Sequence, residues 1–173
     1  MTSVGELDEL RHSTLRMIDD IRRLSRALRP IYLEEAGLVC ALERLVCEAN
    51  ERGGTSTPPY RVLFESSGNI ARLDADTELS LFRIAQEAIN NAIKHANATT
   101  IFISLKLASN DSLQMHIEDD GHGFDANATV TGLGLIGIRE RAAAIGATVL
   151  IESMPEVSTR ISVTLVVLPK ALE

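Results

Sequence analysis

Apolar and polar positions in the first thirty residues follow the spacing of a heptad repeat. Apolar side chains recur at gaps of three and four residues from Leu7 to Leu28, with Thr14 in one polar place. Such a narrow stripe is typical of a helix that pairs with another helix, because alone it buries too little to be stable. It ends at Arg29-Pro30, since the residue before a proline avoids helical backbone angles. The pattern predicts a paired helix over residues 1–30.

The rest of the chain mixes helical and strand-like patterns. Helical spacing predicts a helix from about Gly37 to Arg52, and the stretch GGTSTPP at 53–59 predicts a break before the main α/β body. Beyond it we predict a strand at 60–65, a helix from Asp74 or Asp76 to Ala96, strands at 100–108 and 113–118, a helix from about 134 to 145, and strands at 148–153 and 160–168.

The order of these elements decides the fold class. Strand hairpins separated by single helices favour antiparallel pairing, whereas a doubly wound parallel sheet needs a helix after each strand. We therefore predict an α+β fold, a two-layer α/β sandwich in which a mostly antiparallel mixed sheet is covered on one face by helices.

Composition narrows the classes of function. The 173 residues, 45% apolar and 24% charged, indicate one compact domain with a small appendage. A net charge of -7 and only 3% aromatic residues disfavour nucleic-acid binding, so a bound anion must be held by local geometry. No apolar stretch reaches the ~18 residues of a membrane span, and no signal peptide is recognisable. We expect a cytoplasmic chain without membrane contact.

The two cysteines are predicted to have no chemical role. Cys40 and Cys47 lie seven residues apart in the second predicted helix, about 10 Å along its axis. That separation is too large for a disulfide, and no second metal-binding pair lies nearby in the sequence. We expect both to be small buried apolar residues.

The helix ending near Ala96 carries polar residues along one face. Glu87, Asn91 and Lys94 stand at i, i+4 and i+7, opposite an apolar face. Carboxylate and amide oxygens can hold a metal ion, and the lysine can meet a phosphate. An ordinary solvated helix face with i, i+4 pairing is the alternative.

A second polar segment, DDGHGFD at 119–125, follows an apolar strand. Asp119 can accept a hydrogen bond from an exocyclic amine, and glycines at alternate positions let the backbone approach a flat ligand. A tight turn without function is one alternative. A calcium site is another, weakened because the segment lacks the spacing of an EF-hand.

A third segment, GLGLIG at 132–137, matches the pattern GxGxxG. The match alone is weak, because a dinucleotide fold needs a strand just before it and the preceding residues are polar. Glycines that open a helix nevertheless expose backbone N–H groups to phosphate oxygens, and the helix dipole adds positive potential. The polar stretch upstream suits a lid over a nucleotide.

Taken together, these segments resemble the ordered boxes of histidine kinases. EAINNAIKH at 87–95 resembles the N box, DDGHGFD the first glycine box and GLGLIGIRER the second. The chain resembles the ATP-binding catalytic domain of a sensor histidine kinase, within the Bergerat-fold ATPase superfamily that includes gyrase, MutL and Hsp90. LRP at 28–30, GL at 37–38 and GIRERA at 137–142 further resemble the nitrate-sensor and DesK-like kinases.

The resemblance implies a site for ATP and Mg2+. It implies Asn91 as a ligand of Mg2+, Glu87 one turn earlier as a group that orients water or the metal shell, and Asp119 as the acceptor of the adenine amine. The other ATP-binding residues that it implies are Lys94 and His95 near the phosphates, Gly121 and Gly123 under the base, Gly132, Leu133, Gly134, Leu135 and Gly137 around the phosphates, and Thr159 supporting the adenine. Ser158 stands where the family often has glycine.

The resemblance also implies a domain division and partners. Residues 1–30 would be the remnant of a dimerisation helix, and 31–173 the ATP-binding catalytic domain. The implied partners are the dimerisation and phosphoacceptor helices of a full-length homodimeric kinase, which could be membrane-anchored, and a response regulator. No phosphoacceptor motif like ELHD occurs, and His12, His116 and His122 are poor substitutes. We therefore expect a chain that binds ATP without being phosphorylated itself.

Two other functions stay open on the sequence. One is a Bergerat-fold ATPase that hydrolyses ATP with Glu87 as general base. The other is an interaction module that uses the heptad helix and is insensitive to nucleotide.

Overall fold

The structure is a computed structural model that describes residues 30–109, 111–125 and 133–167. The predicted heptad helix and Gly132 lie outside the described residues. The elements in chain order are helix α1 (Ile31–Gly53), strand β1 (Arg61–Ser67), helix α2 (Ala75–His95), strands β2 (Thr100–Leu107) and β3 (Ser112–Asp119), helix α3 (Leu133–Ala144), and strands β4 (Thr148–Met154) and β5 (Ser158–Val166).

The sheet confirms the predicted mixed topology. Its strand order is β1-β2-β3-β5-β4, in which only β1 and β2 run parallel. A row of four buried isoleucines crosses the four antiparallel strands on the face that the helices cover. They are Ile103, Ile117, Ile161 and Ile151. Helices α2 and α3 contact strands of this row, and α1 contacts β1 beside it, so that all three helices share one hydrophobic core with the row.

Helix α2 begins and ends where the sequence predicts. The Asp74 carboxylate accepts a hydrogen bond from the Thr77 N–H at 2.9 Å, which caps the first turn. Hydrogen bonds from the side chain and the backbone of Thr77 hold the pKa of Asp74 below its ordinary value. The helix closes at Ala96, and its apolar face buries Leu81 and Phe82 completely. A capped helix with one buried face gives its polar face a fixed orientation.

Helix α1 differs from its prediction at the N-terminus. It begins at Ile31 rather than Gly37 and is interrupted at Gly37, where φ is 82° and ψ is -178°. A side chain there would also meet Arg72, because a Cβ atom would lie 2.9 Å from the Arg72 Cδ. Glycine therefore suits the kink for both conformational and steric reasons.

The stretch GGTSTPP does not separate α1 from the main body, contrary to the prediction. The Asn50 side chain in α1 accepts from the Val62 N–H at 2.7 Å and donates to the Val62 carbonyl at 2.9 Å. Leu42 and Leu45 of α1 join the same hydrophobic core as the sheet. The α/β body thus includes α1.

The two cysteines are exposed, so the expectation that they are buried is wrong. The buried stripe of α1 contains Leu38, Leu42 and Leu45, whereas Cys40 and Cys47 lie about 200° around the helix from Leu38 and Leu45. No helix in the described part of the chain is both long enough and apolar enough to cross a membrane.

Candidate functional site

A cavity of about 430 Å³ lies between α2, the end of β3, the first turn of α3 and β5. Nine of the residues predicted for the site line it. They are Glu87, Asn91, His95, Asp119, Gly123, Leu133, Gly134, Leu135 and Thr159. Segments separated by up to 72 residues in the chain therefore meet at one hollow.

The floor of the cavity continues the inner face of the sheet. Two residues along from the isoleucine row, the next row of paired positions stays apolar on β2, at Ile101, but is polar on β3, β5 and β4. Asp119 pairs with Thr159, which pairs with Ser153. Asp119 and Thr159 are only 9% and 8% exposed. A polar row on the covered face of a sheet is costly unless its groups are hydrogen-bonded, so it marks the site.

The Asp119 carboxylate is held in place by its own loop. The Gly121 N–H donates to Asp119 Oδ1 at 3.0 Å. Burial raises the pKa of Asp119 above its ordinary value, and the hydrogen bond from Gly121 only partly opposes this effect. A ligand that donates a hydrogen bond to Asp119 would offset the cost of burying its charge.

The glycines of the 121–125 loop allow close packing at the edge of the cavity. Gly121 is buried against Ala96, where a Cβ atom would lie 2.5 Å from the Ala96 Cβ. Gly123 has a φ of 59° and lies against the backbone carbonyls of Met154 and Ser158. Gly121 thus acts through its neighbours, whereas Gly123 lines the cavity itself.

The start of α3 packs directly on the polar face of α2. A Cβ atom on Gly134 would lie 2.5 Å from Glu87 Oε1 and 3.0 to 3.1 Å from the amide atoms of Asn91. Only glycine leaves room for these two side chains against the helix. The oxygens of Glu87 and Asn91 are therefore neighbours at the cavity wall, where the first backbone N–H groups of a helix have no intrahelical partner.

These two oxygen donors fit a magnesium ion. Mg2+ is usually held by one or two protein oxygens and completed by water and substrate phosphates. Within residues 30–109, 111–125 and 133–167 there is no group of three or more His, Cys, Asp or Glu side chains placed to hold a metal. A site of this kind therefore needs phosphate oxygens to be complete.

Two further predicted residues are not part of the cavity wall. Lys94 is exposed on α2 and does not line the cavity. Gly137 lies in the second turn of α3, where backbone N–H groups are bonded within the helix. A Cβ atom on Gly137 would instead lie 2.7 Å from the guanidinium Nη1 of Arg141.

The sequence analysis missed several residues that shape the site. Ala88, Ala92 and Ala96, which follow one another at intervals of four residues, line the cavity. Phe124 and Ile161 line it as well. Small residues at that spacing on one helix face can indicate a cavity beside the helix. In this sequence, however, Ala88 and Ala92 also fit the pattern of ordinary core positions. Ser153 also escaped notice, because its part depends on which strands pair.

Asp120 has a structural part that was also missed. Its carboxylate accepts from the N–H groups of Thr99 and Thr100, each at 2.8 Å, and from the Thr99 hydroxyl at 2.7 Å. Burial alone would raise the pKa of Asp120, but the hydrogen bonds from Thr100 and Thr99 outweigh it and lower the pKa. The pKa values of these two adjacent aspartates are thus shifted in opposite directions.

Comparison with known proteins agrees with this geometry. The family described as histidine kinase-, DNA gyrase B-, and HSP90-like ATPase matches residues 76–169, just over half of the chain. The chain belongs to this ATPase family. The matched range contains α2 except its first residue, the 121–125 loop, the start of α3 and β5, so it includes every residue that lines the cavity.

Curated relatives of this ATPase chain are sensor kinases. It is 36% identical over 140 residues to sensor histidine kinase ComP of Bacillus subtilis, covering 79% of the chain and 17% of ComP. It is 34% identical over 167 residues to a sensor-like histidine kinase of Chloroflexus aurantiacus, covering 93% of the chain and 28% of that protein. The chain thus spans less than a third of the length of these relatives.

Solved structures show the same fold. The Acinetobacter baumannii histidine kinase AdeS superposes with a TM-score of 0.61 at 18% identity, over 94% of this chain and 82% of AdeS. A histidine kinase domain from Erythrobacter litoralis gives 0.59 at 19% identity, over 72% of this chain and 58% of that domain. These likenesses confirm the predicted α+β fold. Membership of the nitrate-sensor and DesK-like subfamily stays a prediction.

Proposed function

We propose that the chain is the catalytic part of a sensor histidine kinase, which binds Mg-ATP and positions it for phosphoryl transfer to a histidine outside the chain. The observation that carries the proposal is the convergence of three features on one cavity: the buried Asp119 carboxylate, the Glu87 and Asn91 oxygens, and the glycine-opened start of α3. The similarity to sensor kinases over most of the chain supports the same conclusion.

Each residue has a distinct part in this proposal. Asp119 accepts the adenine amine, with Thr159 beside it and Gly123 forming an edge of the adenine site. Backbone N–H groups at the start of α3 bind phosphate oxygens, and the helix dipole favours their negative charge. Catalysis consists mainly of placement and charge stabilisation, as in other phosphoryl transfers.

Asn91 and Glu87 hold and orient the metal end of the nucleotide. When bound, Mg2+ would neutralise negative charge on the phosphates. Asn91 offers its amide oxygen as a ligand, and Glu87 orients a water or the metal shell. His95 lines the same region, and Lys94 approaches the phosphates from the helix surface only if its exposed side chain turns toward the cavity.

The proposal extends to the parts of a kinase beyond the described residues. In this proposal residues 1–30 are the remnant of a dimerisation helix, and residues 31–173 are the ATP-binding catalytic domain. The full-length protein is a homodimer that phosphorylates a response regulator, with this domain in the cytoplasm. The kinases named among the relatives support this extension.

A thermal-unfolding titration with ADP, with and without Mg2+, tests nucleotide binding. A ligand that binds only the folded state at a hundred times its Kd adds about 2.7 kcal/mol of stability. We expect a large shift with Mg-ADP, a smaller one without Mg2+, and loss of the Mg2+ dependence in Asn91→Ala. An absent shift in the unmutated chain contradicts nucleotide binding and favours a nucleotide-insensitive interaction module.

Radiolabelled ATP separates a kinase from an ATPase. We expect no acid-labile label on the chain alone, and labelling of an added dimerisation domain that carries a phosphoacceptor histidine. The half-buried Glu87 carboxylate at the cavity wall keeps hydrolysis as a second candidate. Steady ATP turnover by the chain alone that Glu87→Gln abolishes would establish Glu87 as a general base for water and contradict the kinase assignment.

A further inference from the structure

The hydroxyl of Ser153 links the two polypeptide segments that form one end of the cavity. Ser153 is half-buried near the end of β4. Its Oγ accepts from the Phe124 N–H at 2.8 Å and donates to the Ser158 carbonyl at 3.2 Å. It also lies 3.0 Å from the Thr159 hydroxyl. Phe124 and Thr159 both line the cavity, whereas Ser153 does not.

Hydrogen counting, with the Ser153 hydrogen assigned to the Ser158 carbonyl, gives the direction of the third contact. A serine hydroxyl has one hydrogen to donate and two lone pairs to accept with. The single hydrogen of Ser153 goes to the Ser158 carbonyl, and the Phe124 N–H takes one lone pair. The Thr159 hydroxyl therefore donates to Ser153, and it has only lone pairs left for a ligand.

Two backbone contacts reinforce the same junction. Gly123 lies against the carbonyls of Met154 and Ser158, and the Glu156 N–H donates to the His122 carbonyl at 2.5 Å. The loop after β3 is thus fixed on the turn between β4 and β5. Among the described contacts at this junction, Ser153 supplies the side-chain hydroxyl that reaches both Phe124 and Thr159.

We propose that Ser153 is a positioning residue of the nucleotide site, which fixes Phe124 and orients the Thr159 hydroxyl so that it presents acceptor lone pairs beside the Asp119 carboxylate. This inference rests on the proposed nucleotide-binding function. Two adjacent acceptors favour a base edge that carries an amine over one that carries a carbonyl oxygen. Ser153 then contributes to base discrimination without touching the base.

The test compares the Kd of Mg-ADP with that of Mg-IDP, whose base has a carbonyl oxygen in place of the amine. In Ser153→Ala the Thr159 hydroxyl is free to turn and donate to that oxygen. We expect ADP affinity to fall by about threefold to tenfold, the factor for one hydrogen bond, with a smaller loss for IDP. General loosening of the site would instead weaken both nucleotides equally.

Three further variants complete the experiment. Ser162→Ala is the matched control, because Ser162 lies on the other face of β5, where its hydroxyl bonds His116 Nδ1 at 3.0 Å. Ser153→Thr keeps the hydroxyl and should retain the ADP preference. Thr159→Val should lose the same preference as Ser153→Ala, and the double variant should lose no more than either alone.

The outcomes separate this inference from the function on which it rests. If the unmutated chain binds neither nucleotide, the proposed function fails and the inference fails with it. If it binds ADP but Ser153→Ala keeps the same ADP-to-IDP ratio, only the inference is overturned. Should Ser153→Ala unfold at the assay temperature, equal ratios in Thr159→Val and the unmutated chain overturn it instead.

Discussion

At the scale of single residues, the site combines groups that stabilise the fold with groups that cost it stability. Asp119 and Asp120 are adjacent in sequence, but their pKa values are shifted in opposite directions. Burial raises the pKa of Asp119, while hydrogen bonds from the 99–100 segment lower that of Asp120. Only the first lines the cavity. The free chain therefore keeps a carboxylate that disfavours folding at neutral pH, as expected of a residue retained for binding.

Replacing each aspartate by asparagine should change stability in opposite directions. Asp119 has its pKa raised in the folded state, so its stabilising contribution is present below its unfolded pKa of about 3.8 and is lost as the pH rises through the folded value. Asp119→Asn should therefore unfold at an equal or higher temperature than the unmutated chain at pH 7, and should lose ADP affinity. Thermal unfolding from pH 3 to 7, followed by ADP titration, measures both effects.

Asp120→Asn is the matched control and should behave in the opposite way. Its pKa is lowered, so its contribution is present above the unfolded value and disappears as the pH falls through the folded one. We expect a lower unfolding temperature at pH 7, a difference that shrinks as the pH falls below about 3.8, and nearly unchanged ADP affinity. Strong loss of ADP binding in Asp120→Asn but not in Asp119→Asn would reverse the assignment.

At the scale of elements, the first two turns of α3 face different neighbours. Gly134 lies against Glu87 and Asn91 of α2, whereas Gly137 lies against the guanidinium end of Arg141, a residue of the same helix. The same substitution at the two positions therefore separates a requirement of the site from a property of the helix.

Gly134→Ala should lose Mg-ADP binding, and Gly137→Ala should not. The added methyl at 134 would fall 2.5 Å from Glu87 Oε1 and must displace it, at the place where the metal end of the nucleotide is proposed to bind. At 137 the Arg141 guanidinium can move aside, and alanine gains up to about 1 kcal/mol of helix stability over glycine. Calorimetric titration and urea unfolding of both variants check this. Equal ADP affinity in the two variants would contradict the proposed use of Gly134.

Local patterns predicted the elements well, but not how some of them combine. The period-two alternation of apolar residues predicted β2, and the capping residue Asp74 predicted the start of α2. Both predictions succeeded because each signal lies within a few consecutive residues. The pairing of Asp119 with Thr159 and of Thr159 with Ser153 joins residues up to 40 positions apart. It depends on β5 lying between β3 and β4, which no local pattern encodes. Ser153 was therefore missed.

At the scale of the whole molecule, α1 is part of the body that holds the cavity. The sequence break at 53–59 predicted otherwise, because glycine and proline content reports the local backbone and not the packing across it. Asn50 bonds both backbone groups of Val62, and the apolar side of α1 shares the core with α2. We expect the chain to unfold as one cooperative unit.

The variant Asn50→Ala tests whether α1 and the rest of the body unfold as one cooperative unit. Loss of two hydrogen bonds to Val62 should lower the free energy of unfolding by about 2 kcal/mol, at roughly 1 kcal/mol each. The transition should stay single, because α1 cannot detach without exposing the core that supports α2. Asn50 is absent from the cavity wall, so ADP affinity should not change. Asn69→Ala, at an exposed loop position, is the control and should leave stability unchanged. Two separate urea transitions, with only the first shifted by Asn50→Ala, would show that α1 is an independent unit joined to the catalytic body by a true linker.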